Sequence, residues 1–328
     1  MLWHSNPAAK AWRTTAAPAE VLAFHQALDG YRPTPLIAVP VLAAELGVGR
    51  VLVKDESQRL GLPAFKALGA WWAIHRALQD HPKTTELVTA TDGNHGRAVA
   101  RMAATLGLRA HVFVPAVISE RAVGAIRSEG AAVTTIQGSY DAAVVAAAAA
   151  AATGDNLLIQ DSAWPGYEAI PQYIVDGYST LFREIDTEPD LVVLPMGVGS
   201  IAQAAVTHYR SGVAAPRLLG VEPTSAACVT ASLQAGKPIT VSTGRTVMAG
   251  LNCGTPSSLA WPVLRAGLDA AVTVEDSEAL QAVEDLGAVG ISSGASGAAT
   301  LAGLRAARDR LPLTSSSTVI LISTEAAS

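Results

Sequence analysis

Short apolar runs alternate with alanine-rich amphipathic stretches along most of the chain. The runs predict strands at Val51–Lys54, Leu87–Thr89, His111–Val114, Ala132–Thr135, Leu157–Gln160, Leu191–Leu194, Arg217–Val221 and Thr318–Ile322. Helical spacing predicts helices after most of them, among them Lys66–Gln79, Gly96–Leu106, Glu120–Ser128, Tyr140–Ala152 and Ser200–Tyr209. Strand–helix alternation of this kind is the pattern of an α/β fold with a mostly parallel sheet. Thr153-Gly-Asp-Asn156 and Thr187-Glu-Pro-Asp190 read as turns. With no repeat and no long linker, the chain reads as two lobes sharing an interface.

Composition narrows the picture. The 328 residues are 50% apolar and 16% charged, enough to bury a large core, which excludes disordered, collagen-like and small disulfide-framework chains. At roughly 150 residues per domain, the length suggests two domains. The net charge of -5, without basic blocks, argues against a nucleic-acid or anionic-membrane partner. Alanine accounts for most of the mean hydropathy of +0.31. The longest apolar run, Ala142–Ala152, falls short of the about 20 residues that a membrane span needs. Met1–Arg13, with Trp3, His4, Asn6 and Lys10, has no apolar signal core, so the cytoplasm is the expected compartment. Cys228 and Cys253 form neither a CxxC nor a zinc spacing.

Five segments could carry chemistry. Lys66 follows the Gly61-Leu-Pro-Ala-Phe65 loop and opens a helix between Phe65 and Leu68. An amine in apolar surroundings deprotonates more easily and suits covalent chemistry with a carbonyl, although a snorkelling lysine would look the same. Thr89-Ala-Thr-Asp-Gly-Asn-His-Gly96 links a strand to a helix, and it is either an anion- or oxygen-binding turn with Asp92 and Asn94 or an ordinary capping turn. Leu194-Pro-Met-Gly-Val-Gly-Ser-Ile201 is a glycine turn before a helix, able to approach a phosphate but lacking both the P-loop lysine and the third dinucleotide-fold glycine. Asp161 stands at a strand end beside Trp164 and Tyr167, where ligands of α/β sheets bind, or it caps its own loop. Ser323 and Thr324 end the last strand.

In this order the segments resemble the fold-type II pyridoxal-phosphate enzymes, related to tryptophan synthase β and threonine dehydratase. Within them the chain most resembles the diaminopropionate ammonia-lyase family. The resemblance rests on Lys54-Asp-Glu-Ser57, Gly61-Leu-Pro-Ala-Phe-Lys66, Ala90-Thr-Asp-Gly-Asn-His-Gly-Arg97, Gln160-Asp-Ser-Ala-Trp-Pro-Gly-Tyr167, Gly197-Val-Gly199, Val221-Glu-Pro223, Met248-Ala-Gly-Leu-Asn-Cys-Gly254, Ser293-Gly-Ala-Ser-Gly297 and Ser323-Thr-Glu325. Asp92 is the discriminating residue: related dehydratases of hydroxy amino acids carry a small hydroxyl residue there. Ala295 departs from the pattern, because the family motif has Glu at that place.

The resemblance implies two lobes, each a twisted mostly parallel sheet flanked by helices. A large cofactor-binding domain would comprise 1–87 and 159–328, and a small one 88–158. It implies pyridoxal 5'-phosphate bound to Lys66, with Phe65 beside it, Asn94 on the ring hydroxyl, Gly197, Val198, Gly199 and Ser200 around the phosphate, and Ser323 or Thr324 at the ring nitrogen. Asp92 and Asp161 would take the α proton from the D and the L substrate respectively, with burial beside Trp164 and Tyr167 raising the basicity of Asp161. The substrate would be a small amino acid, best a diamino acid whose second ammonium pairs with the carboxylates. Elimination or replacement at Cβ of another amino acid, as in serine and threonine dehydratases, stays open, as does a silent ligand-binding relative or a nucleotide binder that uses only the Gly197 turn. A homodimer is implied by the resemblance alone. The Val221–Cys228 segment resembles a cation-binding stretch of some relatives, but Cys228 replaces their Asp, so no metal is expected. The two cysteines match a family pair; free thiols are the expectation in a reducing compartment.

Overall fold

The structure, a computed structural model, describes residues 1–91, 93–138, 140–212 and 215–327. Its strands are β1 (Trp3–Ser5), β2 (Leu36–Ala38), β3 (Arg50–Asp55), β4 (Glu86–Ala90), β5 (Arg109–Pro115), β6 (Ala132–Ile136), β7 (Asn156–Leu158), β8 (Leu191–Pro195), β9 (Arg217–Pro223), β10 (Ala270–Val274) and β11 (Thr318–Ser323). Its α-helices are α1 (Glu20–Gln26), α2 (Pro40–Leu46), α3 (Lys66–Asp80), α4 (Asn94–Leu106), α5 (Glu120–Ser128), α6 (Tyr140–Ala151), α7 (Ala169–Arg183), α8 (Ser200–Ser211), α9 (Cys228–Ala235), α10 (Ala260–Gly267), α11 (Asp276–Ala288) and α12 (Ala295–Ala307). Every strand and helix named from the periodicity is present, with ends displaced by no more than two residues. β1, β2 and β10 lie outside that reading.

The chain divides into two compact units, Met1–Phe65 with Ser179–Ser328, and Lys66–Tyr178. The second contains the 88–158 segment together with α3 and most of α7.

The first unit is built on a seven-stranded sheet of order β1-β10-β9-β8-β11-β3-β2. Its five inner strands run parallel, while β1 and β2 close the edges antiparallel. β8 and β10 are buried along their whole length, as strands covered on both faces must be, and their unbroken apolar runs follow from that. α12 is buried nearly end to end and packs on β8, β9, β10 and β11. Its Gly303 lies against Val221, where a Cβ would overlap the valine side chain. The core joins Val51, Val53, Leu191, Val193, Leu219, Val221, Leu301, Leu304, Val319 and Leu321. β8, β9 and β11 therefore deliver their carboxyl ends to one edge of this sheet, the edge where α/β folds bind ligands.

The second unit holds an all-parallel sheet of order β6-β5-β4-β7. The alanine-rich α6 lays Ala143 and Ala147, one helical turn apart, on Val88, Ala90 and Phe113. Its other face is solvated, with Val145 70% exposed. α3 and α7 cross at two glycines: a Cβ on Gly177 would sit 2.7 Å from the Gly69 Cα. That close approach fixes the start of α3, and Lys66 is its first residue.

Candidate active site

Lys66 and Asp161 meet within the second unit. Lys66 Nζ donates to Asp161 Oδ2 at 2.7 Å, and it lies 6.0 Å from the centre of the Tyr178 ring. Tyr178 is brought there by the glycine crossing, since a Cβ on Gly69 would overlap its ring. Burial alone would raise the Asp161 carboxyl, but the adjacent Lys66 ammonium outweighs it and holds the group at about 2. This corrects the expectation that burial makes Asp161 more basic: with an ammonium at hydrogen-bond distance, attraction wins over desolvation. The Tyr178 hydroxyl goes the other way, pushed up to about 12 by burial and by the Asp161 charge, against the opposing pull of Lys66.

Asp161 follows a residue that is held from several sides. Gln160 Oε1 accepts from Ala90 N at 2.9 Å and Thr89 Oγ1 at 3.2 Å, while its Nε2 donates to Tyr140 Oη at 2.8 Å and Asp161 Oδ1 at 3.4 Å. Its backbone N–H donates to Tyr167 Oη at 2.9 Å, and that hydroxyl donates to Leu158 O at 2.8 Å. Trp164 stacks on Tyr167 with centroids 4.5 Å apart. Gln160, Tyr140 and Tyr178 were not singled out from sequence; Gln160 could have been, because it borders Asp161 inside a recognisable motif.

In the β4–α4 turn, Thr91 Oγ1 accepts from the N–H groups of Gly93 (3.0 Å) and Gly96 (3.2 Å). Asn94 opens α4. His95 is buried; its Nε2 lies 2.8 Å from Ile159 O and must carry the proton, because a carbonyl only accepts. Its Nδ1 has no partner among the described residues. Burial also holds this imidazole below the usual histidine range. Asp92, the discriminating residue of the sequence reading, lies outside the described residues.

The first unit supplies a second group. Beyond β8, Gly197, Val198 and Gly199 turn into α8, whose first residue is Ser200. A Cβ on Gly197 would lie 2.9 Å from Gly250 O and 3.0 Å from Cys253 Sγ. Gly199 has φ +100°, a conformation that favours glycine. Ser257 N anchors Val198 O at 2.9 Å. The turn is therefore a backbone surface at the start of a twelve-residue helix, chemistry that fits a phosphate. At the end of β11, Ser323 Oγ donates to Ser293 Oγ at 2.8 Å, and Thr324 is buried beside it. A Cβ on Gly297 would crowd Thr324 N at 2.7 Å. Phe65 N donates to Thr324 O at 3.1 Å, so the residue before Lys66 is tied to this strand end.

The carboxylate of Glu222, in the segment resembling a cation site, accepts from Val229 N at 2.8 Å and Thr230 N at 2.6 Å and so caps the start of α9. Cys228 and Cys253 are not joined in a disulfide. No helix among the described residues is long and apolar enough to cross a membrane.

Each taken within its own unit, an amine suited to an aldehyde and a glycine turn suited to a phosphate fit the chemistry of pyridoxal phosphate. Comparison with known proteins agrees: residues 27–325 match the family model of pyridoxal-phosphate dependent enzymes. Diaminopropionate ammonia-lyase of Salmonella typhimurium is 36% identical over 93% of this chain and 88% of that protein. The Escherichia coli K12 protein of the same name is 37% identical over 92% of this chain and 86% of its own length. A crystal structure of the E. coli enzyme in complex with an aminoacrylate-PLP azomethine reaction intermediate superposes with a TM-score of 0.92 at 33% identity, covering 99% of this chain and 94% of that one. Threonine deaminase isoform 2 of Solanum lycopersicum, 21% identical with a TM-score of 0.82, shares the fold. This chain belongs to the pyridoxal-phosphate-dependent enzymes, and among them to the diaminopropionate ammonia-lyase family.

Proposed function

We propose that this protein is an ammonia-lyase that converts 2,3-diaminopropionate and one water to pyruvate and two molecules of ammonia. The observation that carries the reading is the Lys66–Asp161 pair at 2.7 Å, an amine and a carboxylate held together at the mouth of a helix. Pyridoxal phosphate supplies an electron sink for the negative charge that develops at the substrate Cα.

In this reading Lys66 would supply the nitrogen that holds the cofactor. The N–H groups of Gly197, Val198, Gly199 and Ser200 would take its phosphate. Phe65 would lie beside it, Asn94 would donate to the ring hydroxyl, and Ser323 or Thr324 would face the ring nitrogen. A hydroxyl there does not force a proton onto that nitrogen as a carboxylate would.

Asp161 is a weak base while the Lys66 ammonium faces it. To hold the cofactor, Lys66 would give up its ammonium proton to solvent; Asp161 would then lose its strongest partner, and its proton affinity would rise. Asp161 would thereby be able to take the α proton of one substrate isomer, and Asp92 that of the other. The β-amine departs as ammonia from its protonated form, and paired carboxylates favour that charge. The reading further takes the enzyme as a cytoplasmic homodimer.

A second reading, elimination from a hydroxy amino acid, is favoured by one fact: the E. coli relative has been crystallised in complex with D-serine. The test is pyruvate release from D- and from L-2,3-diaminopropionate, with D- and L-serine and threonine alongside. Rapid pyruvate from a diaminopropionate isomer is expected, with Asp161→Asn depressing one isomer more than the other. Turnover of serine or threonine with none of either diaminopropionate isomer would replace the main reading by the second.

A further inference from the structure

We infer that Arg59, gripped between Glu56 and Glu184, is a positioning residue for Lys66: it fixes the segment from which the lysine emerges. The inference rests on Lys66 being the cofactor-bonding residue.

Every group of the ion cluster lies in the first unit, and Lys66 is the first residue of the second. Arg59 is fully buried and bridges two carboxylates. Its Nε and Nη2 donate to Glu56 at 2.8 and 2.6 Å, and its Nη1 and Nη2 donate to Glu184 at 2.6 and 2.7 Å. Nη2 also reaches Thr34 Oγ1 at 2.9 Å, and Nη1 reaches Arg32 O at 3.4 Å. Lys54 Nζ donates to Glu184 at 2.6 Å and to Thr34 O at 2.8 Å. Tyr31 Oη and Thr34 N complete the shell of Glu184 at 2.9 and 3.2 Å. Two cations face two anions, so the cluster is charge-balanced, and nearly every lone pair and N–H in it is used.

A cluster of this kind is a poor way to gain stability, because apolar side chains of similar volume would do as well. What it supplies is one geometry, since a guanidinium fork meets two carboxylates in few ways. The backbone geometry that follows is unusual. Arg59 and Leu62 exchange N–H···O bonds of 2.8 and 2.9 Å across a two-residue turn. Leu60 in that turn has φ +53°, the one positive φ outside glycine among the described residues, and Gly61 follows at +76°. A leucine stays in that conformation only where its surroundings impose it.

Past the turn, the segment is fastened a second time. Ala326 N donates to Pro63 O at 2.9 Å, Ala64 bridges Glu325, and Phe65 N donates to Thr324 O. Residues 56–65 are thus pinned by the ion cluster at one end and by the strand end carrying Ser323 and Thr324 at the other. Lys66 is the next residue, so the cluster fixes the backbone that leads into the lysine. Glu184 lies 125 residues from Arg59, which ties the end of α7 into the same setting.

The test compares wild type with Arg59→Met, Arg59→Lys and Thr34→Val. Amide hydrogen exchange is followed in the cofactor-free protein, pyridoxal phosphate affinity by titration, and the adduct by borohydride reduction and peptide mapping. Arg59→Met should speed exchange at 57–65 well beyond its effect in Leu191–Pro195, where exchange follows overall stability. It should weaken cofactor affinity by roughly 10- to 100-fold, the scale of a small misplacement at a site. Arg59→Lys should recover part of both effects. Should Arg59→Met fail to fold, Thr34→Val, which keeps all four charges, should show the same local pattern at smaller size. Unchanged exchange at 57–65 in the folded variants, or equal loss there and in Leu191–Pro195, overturns the inference. An adduct missing from residue 66 of the wild type overturns the reading of Lys66 instead, and the exchange data still decide whether Arg59 holds the segment.

Discussion

Lys66 and Asp161 share one hydrogen bond of 2.7 Å, and their side chains keep 26% and 14% of their accessibility. Arg59 and Glu184 are joined by two, at 2.6 and 2.7 Å, with 0% and 2% left to solvent and Glu56, Lys54, Tyr31 and Thr34 closing the gaps. Both are ion pairs in the interior of a unit, built from the same chemistry. They differ in how many alternatives each group has. Breaking the Lys66–Asp161 bond leaves both partners within reach of water or of an incoming ligand. Breaking the Arg59–Glu184 bonds strands a charge where none of that is available. A group that must change partners during a reaction needs the first arrangement, whereas a group that must never move needs the second. Burial and pairing alone therefore do not mark a reacting residue; a buried pair with spare accessibility does.

The comparison predicts opposite outcomes for the two cations. Lys66→Ala should lower turnover by roughly 10⁴-fold or more, the size seen when a covalent catalytic group is deleted. It should cost no more than about 2 kcal/mol of stability, because Asp161 keeps Gln160 as a partner and can take up a proton. Arg59→Met should instead cost stability on the scale of about 3–5 kcal/mol, as for a broken buried pair. Calorimetry and steady-state kinetics on the two proteins separate the cases. A Lys66→Ala protein that unfolds as readily as Arg59→Met would erase the distinction.

Gly69→Ala probes how the weaker pair is placed. The new methyl carbon would stand 2.7 Å from Ile174 Cγ2 and closer still to the Tyr178 ring. α3 and α7 must move apart, at about 1–3 kcal/mol for an overpacked contact. Lys66 starts α3, so turnover should fall with stability. A urea titration that shows the loss without any change in kcat would mean that the crossing serves packing alone.

These two systems also show what a sequence reveals. Lys66, Asp161, Asn94 and the Gly197–Ser200 turn sit in local motifs, each at a strand or helix end, and local motifs are readable because turn chemistry is written in consecutive residues. The parallel strands were readable for a related reason: β8 and β9 are buried on both faces and show it as unbroken apolar runs. β1 and β2 have three residues each, too few for any period, and β10 opens with two alanines, which favour no strand. The Arg59 cluster gave no local sign, because its second carboxylate arrives from 125 residues away. The depressed Asp161 carboxyl was misjudged for the same reason, since its cation lies 95 residues upstream.

Acid gives the finest test, because it acts on Asp161 without altering the chain. The carboxyl has an ordinary value of 3.8 and is held at about 2 in the fold. A depressed carboxyl contributes stability that is fully present above 3.8 and fades as the pH falls toward 2. The contribution near neutrality is on the order of 2 kcal/mol. Asp161→Asn lacks it at every pH. The stability gap between wild type and Asp161→Asn should therefore be widest near neutral pH and narrow steadily through the acid range. Denaturant midpoints of the cofactor-free proteins, measured from about pH 6 to about pH 3, would follow it. A gap that stays constant over that range would mean that Asp161 does not owe its acidity to Lys66, and the working difference between the two ion-pair systems would fall with it.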